Sequence, residues 1–122
     1  MTSYSPFRST VTDETLVKFL RNDLQYDLET VPGIGPKAKE ILNQHNVGNG
    51  FQLFAKFLNF KTTEGDDCIN HCTQFYDFLT NIGIKANRHS ITKSIGEKAA
   101  ITFPSLYIES QFNHLEPMQS EA

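Results

Sequence analysis

All five prolines of the chain, Pro6, Pro32, Pro36, Pro104 and Pro117, fall outside the stretch from Lys37 to Phe103. A proline inside a helix removes a backbone hydrogen bond and clashes with the preceding turn, so this stretch is free to be helical almost throughout. At 122 residues the chain fits one compact domain. The expected fold is therefore all-α: a compact bundle of about five helices, occupying residues 11–104 between a flexible leader (1–10) and an acidic, partly disordered C-terminal tail (105–122).

Apolar spacing and capping residues place the helices. Leu16, Leu20 and Leu24 recur every four residues after Thr12-Asp13-Glu14, which supplies a cap and negative charge for a helix over 12–25. Pro36 suits the first position of a second helix, which carries Ile41 and Leu42 and ends near Asn46-Val47-Gly48. Asn49 and Gln52 form a capping pair before a third helix that is apolar nearly all round, with Phe51, Phe54, Ala55 and Leu58 on one face and Leu53, Phe57 and Phe60 on another. Such a helix is either central in the monomer or covered by a partner subunit. A fourth helix carries Ile69, Cys72, Phe75, Tyr76, Leu79 and Ile82 and stops at Gly83; a fifth, capped by Asn87, has the stripe Ile91, Ile95, Ala99, Thr102. Tyr107, Ile108 and Phe112 are candidates to dock locally, and no internal repeat is evident.

Several function classes recede. No apolar run approaches the roughly 18 residues a membrane span needs, and Met1–Thr10 lacks a hydrophobic signal, so a soluble, intracellular protein with no membrane partner is expected. Cys68 and Cys72 stand one helical turn apart, which suits buried thiols in a reducing compartment better than a disulfide. With His71 they supply too few ligands for zinc, and Glu64, Asp66 and Asp67 lack calcium-loop spacing and suit a helix cap instead. No nucleophile–base arrangement or phosphate loop with its lysine is visible. Neither catalysis, a metal nor a cofactor is expected.

The net charge of −3 is unevenly spread. Lys37, Lys39, Lys56 and Lys61 face only Glu40 over 33–63, and Lys85, Arg88, Lys93 and Lys98 face only Glu97 over 81–108, while 64–80 and the last fourteen residues are acidic. Two basic islands in an acidic chain suit a local anion-binding face. The first of them adjoins Val31-Pro32-Gly33-Ile34-Gly35-Pro36-Lys37. Paired glycines there permit a tight turn and close approach of a phosphate, and the free amides and dipole of the following helix attract it. The pattern resembles a helix-hairpin-helix.

From Leu28 to Phe103, about three fifths of the chain, the order of landmarks resembles the barrier-to-autointegration factor family. Those landmarks are Gly33-Ile34-Gly35, the run Phe51 to Lys61, the aromatic segment Phe75 to Leu79, and Gly83-Ile84-Lys85-Ala86-Asn87-Arg88. The resemblance implies sequence-independent binding of double-stranded DNA through backbone phosphates, with Gly33, Ile34, Gly35, Lys37, Ala38 and Lys39 in the hairpin. A second set, Arg88, His89, Ser90 and Lys93, would lie at the start of the fifth helix. It implies further a homodimer through the third helix, at Leu53, Phe54, Phe57 and Phe60, that bridges two duplexes. An architectural, nuclear or nucleocytoplasmic role fits that reading. Lys39 departs from the pattern, because helix-hairpin-helix sequences usually have a small residue there. The alternatives are a protein–protein interaction module docking through the third helix, or a non-catalytic accessory subunit of a DNA-processing complex.

Overall fold

The computed structural model describes residues 4–62 and 67–107. It is an all-helical bundle of five α-helices: α1 Asp13–Arg21, α2 Pro36–Gln44, α3 Gly50–Asn59, α4 Cys68–Asn81 and α5 Arg88–Thr102. Single 3-10 turns at Pro6–Arg8 and Leu28–Thr30 precede α1 and α2. No described helix is long and apolar enough to cross a membrane. Ile108, Phe112, Glu64 and Asp66 lie outside the described residues.

Local chemistry sets most helix boundaries. The Thr12 side chain accepts from the Thr15 amide, Asn49 from Gln52 and Asp67 from Asn70, each satisfying one N–H that the first turn leaves unpaired. Gln52 reaches back to the Gly48 amide, at 2.6 Å. At the C-terminus of α4, Gly83 takes φ +102° while its amide bonds Thr80 O and the Ile84 amide bonds Leu79 O. This left-handed closure needs no Cβ and satisfies two terminal carbonyls. Asn87 differs from expectation: it precedes α5 with φ +62° and its side chain does not cap the helix, its Nδ2 pointing to Gly33 O at 3.4 Å.

The centre of the bundle is α5, against which α1, α3, α4 and the Pro6–Arg8 turn pack. Its polar sequence disguises this role: Ser90, Thr92, Ser94 and Lys98 are buried alongside Ile91, Ile95 and Ala99. The third helix is not central. Leu53 and Phe57 are fully buried within one chain and Phe54 nearly so, whereas Phe51 remains half exposed. Burying a side chain of this size is worth about 1.5–3 kcal/mol, so Leu53 and Phe57, expected at a subunit interface, are committed to the monomer core, while Phe54, 9% exposed, meets the surface residue Phe103. Phe60 is part-buried against that same core. The exposed large apolar residues are Phe7, Val17, Tyr26, Phe51, Ile101 and Phe103; the rings of Tyr26 and Phe51 lie 6.4 Å apart, and that of Phe103 lies 6.3 Å from Phe54.

The leader, expected to be flexible, is docked from Tyr4 onward, and Tyr107 docks locally as its sequence suggests. Tyr4 is 4% exposed, and Tyr107 3%. Tyr107 meets the buried His71, whose Nδ1 lies 2.6 Å from the tyrosine hydroxyl and whose Nε2 lies 2.6 Å from Phe57 O. A carbonyl only accepts, so Nε2 carries the imidazole proton and Nδ1 accepts from Tyr107. Cys68 and Cys72 are buried thiols with sulfurs 4.0 Å apart.

Candidate functional site

The hairpin is a turn followed by a helix. The Ile34 amide bonds Val31 O at 3.0 Å, closing a turn with Pro32 and Gly33 at its centre, and Gly33 takes φ +98°. Proline then glycine at these positions suits a type II turn. The incoming arm, expected as the preceding helix, is only the 3-10 turn Leu28–Thr30, started by Asp27, whose side chain accepts from the Glu29 amide. Ile34 is 5% exposed and plugs the hairpin into the core, so its side chain takes no part in recognition. Gly35 is the N-cap of α2 and makes no side-chain cap, and Pro36 has no amide hydrogen. The first-turn amides of Lys37 and Ala38 therefore remain for a ligand, at the positive end of the helix dipole.

A second turn stands beside the first. Gly83-Ile84 echoes Gly33-Ile34: each glycine has positive φ, each isoleucine is buried, and each turn feeds a helix N-terminus. The two are interlocked. A Cβ on Gly33 would fall 2.9 Å from Ile91 Cγ1 and 3.3 Å from both Asn87 Cβ and Asn87 O, so the hairpin rests directly on the start of α5. Between them lies a groove of about 540 Å³ lined by Gly33, Gly35, Lys37, Ala38, Lys85 and Asn87, among others. None of its described lining residues is acidic, and both lysines, Lys37 and Lys85, are exposed.

The structure sorts the expected site residues. Gly33, Gly35, Lys37 and Ala38 line the groove. Lys39 does not; its Nζ bonds Asp27 Oδ1 at 3.2 Å and lies 3.7 Å from Glu29 Oε2. Arg88 folds back over the Tyr76 ring, 5.1 Å from its centroid, and donates to Thr80 Oγ1 at 2.7 Å. His89 and Ser90 are covered by the N-terminal segment: Ser5 N–H donates to His89 Nδ1 at 3.1 Å, and Thr10 N–H donates to Ser90 Oγ at 2.9 Å. The His89 ring stacks on Tyr76 at 4.7 Å and on Tyr4 at 6.1 Å. Burial first, and then the charges of Arg8 and Arg88, hold its pKa below the usual imidazole value. Ser90 is 3% exposed and cannot meet a phosphate without displacement of that segment. Lys93 lies off the groove lining.

Lys98, counted from sequence with the second basic island, belongs to the fold. Its ammonium bonds the carbonyls of Phe19 and Leu20, each at 3.2 Å, and that of Asn22, closing the C-terminus of α1. Sequence reasoning missed Gly83, Lys85 and Asn87 as site residues. The available signal was the repeated Gly-Ile pair with a lysine and a helix start just beyond it. Comparison with models of known protein families, with curated proteins and with solved structures yields no match.

Proposed function

We propose that the chain binds double-stranded DNA without sequence preference, by taking backbone phosphates into the groove between the two glycine turns. The observation that carries this reading is the convergence on one surface of the start of α2, the cap of α5 and two lysines, with no carboxylate among the described lining residues. Helix N-termini with unpaired amides suit phosphate oxygens, and Lys37 and Lys85 add charge that releases counterions on binding. Contacts of this kind read the backbone and leave base edges untouched. The resemblance to the barrier-to-autointegration factor family points the same way. It also suggests a homodimer that bridges two duplexes. With Leu53 and Phe57 committed to the core, a second copy would have to use exposed apolar residues such as Tyr26, Phe51 and Phe103.

Fluorescence anisotropy of random-sequence duplexes tests the reading. Affinity should fall linearly with log salt, with a slope near −0.9 for each phosphate neutralised. Lys37→Glu with Lys85→Glu should abolish binding at moderate salt in a folded chain, and duplexes of different sequence should bind alike. A folded wild-type chain that fails to bind at low salt contradicts the proposal.

A further inference from the structure

Four basic residues stand near the groove, but they are not equivalent. Lys37 and Lys85 line it, Arg88 is turned back onto α4, and Lys39 is paired with two carboxylates. That pairing crosses the hairpin. Asp27 and Glu29 belong to the arm that leads into the turn, whereas Lys39 lies in the first turn and a half of the helix that leaves it. Asp27 is itself fixed, because its Oδ1 also accepts from the Glu29 amide at 3.0 Å. The long Lys39 side chain reaches from α2 to the acidic arm. Close packing of α2 falls instead to Ala38 and Leu42, both buried.

We infer that Lys39 promotes duplex binding without touching the duplex, by neutralising Asp27 and Glu29, which would otherwise repel phosphates entering the groove. The inference rests on the DNA reading above. A direct contact is disfavoured by the geometry. The Lys39 ammonium is already engaged by two carboxylates, and a contact that drew it away from them would set two uncompensated negative charges beside the ligand. All three side chains are at least a third exposed, at 37% for Lys39, 55% for Asp27 and 39% for Glu29. The pair therefore adds little to fold stability, and its effect is on the local potential. Lys39 is a positioning and screening residue, distinct from the groove lysines.

The test is duplex affinity by anisotropy for the full chain and three variants: Lys39→Gln, the pair Asp27→Asn with Glu29→Gln, and the triple combination. Lys39→Gln should weaken binding by roughly threefold to tenfold, as expected for unscreening surface charges near a polyanion. The triple variant, which lacks the carboxylates as well, should return to within about twofold of wild type, and the Asp27/Glu29 variant should bind at least as tightly as wild type. A triple variant as weak as Lys39→Gln would overturn the inference and make Lys39 a phosphate ligand. An unchanged Lys39→Gln would overturn it as well. Circular dichroism melts confirm that each variant is folded. Failure of the wild-type chain itself to bind at low salt would overturn the DNA reading, and this inference with it.

Discussion

The ammonium of Lys98 and the imidazole of His89 are polar groups placed where packing decides their chemistry. Lys98 is 7% exposed and holds three carbonyls at the end of α1. Lys98→Met keeps the bulk but leaves those carbonyls without their donor, at a cost of roughly 1.5–3 kcal/mol. Urea denaturation should show that loss, while duplex affinity of the folded variant stays unchanged. His89 predicts a pH dependence. Its folded pKa lies below the unfolded value of about 6.5, so the unfolded chain binds the extra proton first. The contribution to stability is complete above that pH and declines as the pH falls through 6.5 towards the folded pKa. A charged ring also cannot accept from Ser5 N–H. Urea midpoints for wild type should drop between pH 7 and about 5, and His89→Phe should flatten that part of the profile. A histidine in sequence carries no sign of such a role. Only the return of Tyr4 and Ser5 onto α5 creates it, across 84 positions of chain for the Ser5–His89 bond.

At the scale of elements, the two glycine turns act as one unit, because Gly33 is pressed against Asn87 and Ile91. Gly33→Ala combines positive φ with a 2.9 Å clash against Ile91 Cγ1 and should cost roughly 1–3 kcal/mol in thermal or urea unfolding. Gly35→Ala should be close to neutral, since Gly35 has φ −105° and open space where the Cβ would go. Equal destabilisation by the two would contradict the interlocked turns. What was legible in the chain was local: Thr12 and Asn49 as caps, Pro36 opening α2, Gly83 closing α4, and the hairpin itself from Gly33-Ile34-Gly35. The length of the incoming arm was not, because Pro32 and the Asp27 cap shorten it to a single 3-10 turn. Nor was the rank of the helices. Phe-rich α3 reads from sequence as either central or covered by a partner subunit, whereas α5 holds the centre, since which helix is surrounded depends on how α1, α3 and α4 assemble around it.

For the whole molecule, an acidic total of −3 coexists with a groove that presents lysines and helix termini. Charges distributed this way favour local recognition, with the remaining acidic surface opposing indiscriminate adhesion to polyanions. Lys39 and Lys98 raise the basic count of the sequence without adding free cations to the groove, so a charge count alone overstates the cations the groove presents. Tyr26, Phe51 and Phe103 are exposed and are not among the residues that line the groove. An amide-resolved nuclear magnetic resonance titration of the full chain with a short random-sequence duplex tests directly whether the groove takes the phosphates. A duplex seated between the two turns should give its largest perturbations at Gly35, Lys37, Ala38, Lys85 and Arg88, fading as salt rises. Perturbations confined to Phe51 and Phe103, or scattered without regard to the two turns, would contradict that placement.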